Sequence, residues 1–302
     1  MYHLATQHTD VIQDNSFSVP NSKNRKNIEK ESSADIRMCW TCGSCDAECP
    51  VNIATGRLRP QKIVRIANLG FLDELLHLPE IWYCLSCRRC MNVCPNTVSP
   101  VTLIEYVRRY AIFRGIISIR ALSLYQDLFI RFQRVRWHAI NHCFNTDLDV
   151  FTERMWHEWQ GQPASMPMSP ITFQKVSHDS SDIRTMMAKA RTLACFTCGE
   201  CSSACPVVSG RSVFDPRTLF RMINLGMIDE LIRSPSIWLC IACGRCTECC
   251  SQLVDGQEII SNIKKLAIRE GVFDMGFQLR IEHANQLIYT FFLDKIDSLL
   301  GQ

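Results

Sequence analysis

This sequence predicts an all-α fold made of one cysteine-rich module present twice, and three observations carry the prediction. Four cysteine rows share one spacing: CWTCGSCDAECP from Cys39, CLSCRRCMNVCP from Cys84, CFTCGECSSACP from Cys195 and CIACGRCTECCS from Cys240. Sliding the chain by 156 residues lays the first two rows on the last two without a gap, and NLGFLDELLHLPEIWYC at 68–84 falls on NLGMIDELIRSPSIWLC at 224–240. The matched block runs from Cys39–Gly115 to Cys195–Gly271. Between the rows, helix signals recur and strand signals are few.

The elements follow in order. Residues 1–25 are polar and without periodicity, so a mobile arm is expected there. The first module, with a helical extension, is placed at 26–160. Its first long helix starts at Pro60, turns Ile63, Ile66 and Ala67 inward and stops at Gly70. Ser99-Pro100 opens a second helix with Leu103, Ile104, Val107 and Ala111 inside. Residues 116–160 read as a long amphipathic helical region, with Leu122, Tyr125, Phe129 and Phe132 on one face. The stretch 161–181, which contains GQPASMPMSP, reads as a linker.

The second module, 182–302, repeats the pattern. Asp215-Pro216 opens a helix with Leu219, Met222 and Ile223 inside and Gly226 at its end. Asp255, with Glu258 three residues on, opens another that buries Ile259, Ile260, Ile263 and Ala267. A last helix at about 277–300 is expected to carry a stripe of Leu279, His283, Leu287 and Phe291.

Composition narrows the function. With 302 residues, 47% hydrophobic and 21% charged, the chain has the make-up of a globular protein. A net charge of +3 gives no electrostatic case for nucleic acid. MYHLATQHTDVIQDN lacks the basic-then-apolar pattern of a leader, and AIFRGIISIRALSLY at 111–125 is too short and too charged to span a membrane. A cytoplasmic, reducing setting is therefore expected, where 18 cysteines favour metal over disulfides.

The spacing C-x2-C-x2-C-x3-C-P is that of [4Fe–4S] binding in two-cluster ferredoxins. Three cysteines at two-residue intervals wrap one cube, and the fourth is turned toward a neighbouring cube. Structural zinc needs four ligands in all, and gives no reason for a third and fourth cysteine in every row. The crossover assigns Cys39, Cys42, Cys45 and Cys94 to one cluster, and Cys84, Cys87, Cys90 and Cys49 to the next. Cys195, Cys198, Cys201 and Cys250 hold a third, and Cys240, Cys243, Cys246 and Cys205 a fourth. Four [4Fe–4S] clusters use sixteen cysteines, leaving Cys143 and Cys249 as spare thiols. Cys250 is preferred to its neighbour because it falls on Cys94 under the 156-residue offset, whereas Cys249 falls on Val93. The 33 residues between Pro50 and Cys84 carry helix signals, which makes each module an α-helical ferredoxin.

On these rows, on the NLG…DELL…P…IW-x-C spacer and on NIEKESSADIRMCWTCGSCDAECP at 27–50, the chain resembles two fused copies of the C-type iron–sulfur subunit of heterodisulfide reductase. It is also similar to the helical ferredoxin domains of succinate dehydrogenase and anaerobic glycerol-3-phosphate dehydrogenase. The resemblance implies an electron relay between a flavoprotein subunit and a catalytic subunit of CCG type. The alternative within electron transfer is the iron–sulfur subunit of a quinone-linked dehydrogenase with a membrane-anchored partner, on the inner face of the membrane. A redox sensor or scaffold is the alternative of another class.

The chain itself lacks a nucleophile, a general base or a nucleotide-binding glycine loop, so no catalytic residue is assigned. A CCG reading of Cys249-Cys250 fails because no cysteine follows the pair. Trp82 and Trp238 are read as covers over the clusters. Arg88, Arg89 and Arg245 either raise cluster potential, dock acidic partners or are simply solvated. Ser251 replaces the proline found at Pro50, Pro95 and Pro206, and its hydroxyl is a candidate hydrogen-bond donor to sulfur.

Overall fold

The computed structural model describes residues 19–165, 185, 187–208, 213–274 and 276–301, and among them every regular element is a helix. Each module is a small helical frame around two cysteine rows. In the first, the helix Pro60–Leu69 buries Ile63, Val64 and Ala67 against Pro100–Phe113, whose Leu103, Ile104, Val107 and Ala111 are fully buried. Pro216–Asn224 and Gly256–Arg269 repeat the pair in the second module, with the Asp255 carboxylate accepting from the Glu258 amide as the helix cap.

A further helix frames the first module. The helix Ser22–Ser32 begins inside the stretch expected to be a mobile arm, because Ile28 drops into the core and the Asn21 side chain caps its first turn. Residues 1–18 of that stretch, and 166–181 of the expected linker, lie outside the described residues. Gly70 ends its helix at φ +77°, and the Asn21 amide donates to Leu69 O at 2.8 Å beside it. A Cβ at Gly70 would sit 2.0 Å from Asn21 O. Gly70→Ala is therefore expected to destabilise the chain by about 2 kcal/mol, from left-handed backbone strain plus overpacking, as a lowered denaturant midpoint.

The extension at 116–160 is two helices, Ile119–His142 and Glu153–Gly161, the second capped by the Thr152 hydroxyl. Helix Ile119–His142 and its counterpart Phe277–Leu300 lie against each other at the centre of the molecule, Phe132 stacking on Phe292 at 4.0 Å and meeting Tyr289 edge-on at 5.0 Å. Each of the two rests on both modules. Tyr125 donates to Trp82 O in the first module at 2.9 Å, while Trp137 donates to Ser236 Oγ in the second at 3.0 Å. Phe277 packs on Trp238 of its own module, and at the far end Asp294 pairs with Arg57 of the first at 2.6 Å. Asp297 pairs with the same arginine and accepts from Tyr83. The stripe expected on Phe277–Leu300 is off register: Leu279 is 69% exposed, and the buried positions include Phe277, Ile281, Ala284, Ile288 and Phe292. Contact with two surfaces, Trp238 at one end and Arg57 at the other, selects a different face from the one a single apolar stripe suggests.

Candidate metal centre

All four cysteine rows adopt one backbone. In each, the residue before the second cysteine and the residue after it are left-handed: Thr41 and Gly43, Ser86 and Arg88, Thr197 and Gly199, Ala242 and Gly244. Alternating handedness turns successive amides inward as a concave nest suited to an anionic group. The Ser86 amide thus donates to Cys84 Sγ and the Ala242 amide to Cys240 Sγ, each at 3.4 Å. Three of the four rows place glycine after the second cysteine. The second row places Arg88 there instead, at φ +66°, against the steric preference of an L side chain.

Four hollows result. Cys39, Cys42, Cys45 and Cys94 line the first, and Cys49, Cys84, Cys87 and Cys90 the second. Cys205, Cys240, Cys243 and Cys246 line the third; Cys195, Cys198, Cys201 and Cys250 line the fourth, to which Cys246 also contributes. After the last cysteine of each second row the chain bends through left-handed Thr97 or Leu253, and the amides of Val98 and Val254 donate to Cys94 Sγ and Cys250 Sγ at 3.4 Å. Cys249 is half-buried instead of packed in the core, and its thiol donates weakly to Cys246 O at 3.8 Å. Cys143 is fully buried and points at Arg280 O. Ser251 is exposed and its hydroxyl has no partner among the described residues.

The hollows are poor places for bare thiolates. Burial pushes the Cys49 and Cys205 thiols up to about 12 and Cys201 to about 11, and drives Cys90 and Cys246 upward as well. Burial also takes Cys45 to about 12, with Asp46 adding to it. Cys42 moves the other way, because the Ser44 hydroxyl bonds its sulfur. The raised thiols would therefore need a positive metal beside them to become thiolates, and its binding would release protons. Among the described residues no three Cys, His, Asp or Glu converge on a point as a single metal ion requires. Thiols spread round a hollow, with amides aimed at sulfur, fit a multi-iron cube better than zinc.

Sequence reasoning missed two supports. Arg108 donates to Ile81 O at 2.7 Å and Cys84 O at 2.6 Å, and lies over Trp82. Lys264, at the same place in the repeat, donates to Cys240 O at 3.0 Å and lies over Trp238, with burial lowering its pKa. Each second row thus has a cation and a tryptophan behind its first cysteine. A basic residue recurring at the 156-residue offset on an apolar helix was the available signal. The second support is Asp46. In the first module it reaches from the cysteine row to cap the Pro60 helix, accepting from the Gln61 amide at 2.7 Å, whereas in the second Asp215 caps the helix itself and Ser202 in the row donates to it.

The family profile of the 4Fe–4S dicluster domain matches residues 35–98 and again 191–254. The chain thus matches that profile twice. Each match holds one pair of rows with the helical spacer between them, and the two matches stand at the repeat offset. The chain is also similar to a protein of Archaeoglobus profundus named as like the C-type subunit of heterodisulfide reductase, 38% identical over 106 residues, or 33% of this chain and 55% of the relative. The C-type subunit of the H2:CoB-CoM heterodisulfide,ferredoxin reductase of Methanothermobacter thermautotrophicus is 33% identical over 103 residues, covering 30% of this chain and 54% of the relative. That of the ferredoxin:CoB-CoM heterodisulfide reductase of Methanosarcina acetivorans is 33% identical over 107 residues, 34% of this chain and 42% of the relative. The chain spans about half the length of the curated relatives it matches. Its sequence is like that of the C-type heterodisulfide reductase subunit, and the dicluster-domain profile matches it in tandem.

Proposed function

We propose that the chain is an electron-transfer subunit whose sixteen cysteines hold four [4Fe–4S] clusters, and that it relays electrons between a flavoprotein-type donor and a heterodisulfide-reductase-like catalytic subunit. The observation that carries the reading is that four hollows are each lined by three cysteines of one row and the last cysteine of its partner row, with Cys246 reaching the fourth hollow as well as its own. A bound cluster supplies one-electron storage and release with little change of shape. The remaining work falls to the chain. Cysteine sulfurs ligate, the row amides stabilise the anionic group, and Trp82, Leu85 and Leu239 keep water from the second rows.

No helix among the described residues is long and apolar enough to cross a membrane. A quinone-linked role would therefore draw its membrane contact from a partner. Anaerobic purification with iron and sulfide counts tests the cofactor: four cubes require about sixteen irons per chain. Zinc in place of iron overturns the reading. Copurification from the native host tests the partners. A flavin subunit and a CCG-type subunit support the proposal, and a membrane cytochrome in their place replaces it with the quinone-linked one.

Arg88 gives a narrower test. It lines the second hollow, its Nε is buried without a hydrogen-bond partner, and its backbone is left-handed where the other rows have glycine. Arg88→Gly is expected to relieve about 1 kcal/mol of backbone strain while lowering the midpoint potential of one cluster, because a cation beside it is removed. Denaturation and EPR-monitored potentiometry read the two effects separately.

A further inference from the structure

The two modules are joined at a point that follows from the repeat itself. Asn92 Nδ2 donates to Glu248 Oε1 at 2.6 Å, and these residues are 156 apart in sequence, so each is the other's counterpart. Contact between counterparts places them beside a pseudo-twofold axis, as at an isologous dimer interface. Around that axis the second rows exchange arginines. Arg89 of the first module donates to Ile241 O at 3.2 Å, and Arg245 of the second, its counterpart, donates to Ser86 O at 3.0 Å. Arg89 is held from behind by the Glu48 carboxylate of the first row.

The cysteines near this axis are counterparts too. Ser86 and Arg89 flank Cys87 of the second hollow, while Ile241 and Arg245 line the third together with Cys243, so the two arginine contacts bring those hollows to the junction from opposite sides. Within each module the short helices of the two rows pack on each other, Ser44–Ala47 on Arg89–Asn92 and Glu200–Ala204 on Arg245–Glu248, and Cys246 lines both hollows of the second module. The hollows therefore follow one another in single file, with those of the second rows inside. At the two ends the first rows face solvent: Cys42 and Cys198 are exposed, and Trp40 and its counterpart Phe196 are 73% and 60% exposed.

We propose that the tandem modules form one continuous relay, crossing between the second-row hollows at the pseudo-twofold junction, with Arg89 and Arg245 as the positioning residues that hold those hollows face to face. This rests on the ligand reading above. One electron from a reduced one-electron donor protein enters at one first row, and one leaves from the other first row to an oxidised acceptor protein. Each transfer oxidises one centre as it reduces the next, and no bond or proton changes place.

The test uses the full-length chain with its clusters in place. Cys42→Ala combined with Cys198→Ala should remove the two end clusters and halve the iron. On full reduction the remaining pair should show an EPR spectrum split or broadened by spin–spin coupling. Two independent, uncoupled spectra would overturn the file. Iron that stays near the wild-type content would instead overturn the ligand reading, and the relay with it. In the otherwise unaltered chain, Arg89→Ala with Arg245→Ala should keep the full iron content but weaken the coupling between the inner pair, with recovery in the corresponding lysine pair. Coupling that is unchanged in the alanine pair would remove the arginines from the positioning role.

Discussion

Cys250→Ala is expected to cost the chain about a quarter of its iron, one cube of four, and Cys249→Val to cost none. The two cysteines are neighbours in sequence, but the backbone gives them different tasks. Cys250 lies past the short helix Arg245–Glu248 and lines the hollow of Cys195, Cys198 and Cys201, with its sulfur accepting from the Val254 amide. Cys94 is held by the Val98 amide in the same manner in the first module. Cys249 is the C-cap of that helix, as Val93 is of Arg89–Asn92, and its thiol turns back to Cys246 O. Of the two spare thiols it is the one that adjoins a lining cysteine and could compete for the site, since Cys143 is buried against Arg280 O. The double variant settles that competition. If Cys250→Ala keeps its cluster and the double variant loses it, Cys249 has taken over. If Cys249→Val alone loses iron, the register of the last row is wrong.

The cysteine rows were legible because their spacing serves the ligand and the duplication fixes the register. Gly43, Gly199 and Gly244 announce the left-handed turn in three rows. Thr41, Ser86, Arg88 and Ala242 adopt the same handedness with nothing in their side chains to signal it, because the nest, and not local preference, selects the conformation. Asp46 and Asp215 show why capping was only half readable. A carboxylate next to the helix it caps forms a local pattern, while one brought over from a cysteine row does not. The long helices hid the most. Each has an apolar face wide enough for two contacts, and periodicity cannot tell which part meets its own module and which meets the other. For that reason the sequence suggested two modules on a linker, whereas the chain folds with both long helices shared.

Phe132→Ala is expected to destabilise the whole chain by about 3–5 kcal/mol, and to do so in one step. The ring is fully buried, stacked on Phe292 and edge-on to Tyr289, with the Arg136 guanidinium over it at 5.9 Å. Arg136 is itself buried and reaches Gln133, Asn285 and Leu239 O, so a cavity at position 132 also loosens a cation that bridges the first long helix to the second module. Neither module owns this layer. Tyr125 and Trp137 tie one long helix to both, and Trp238 and Arg57 do the same for the other. Loss of packing here should therefore lower the stability of both modules together. Denaturant unfolding of the holoprotein, followed by cluster absorbance and by far-UV circular dichroism, should give one transition shifted to lower denaturant. Independent modules would give two transitions, with only one of them moved. That outcome would also break the junction at Arg89 and Arg245, since carbonyls approached from opposite sides stay aligned only if the two halves fold as one body.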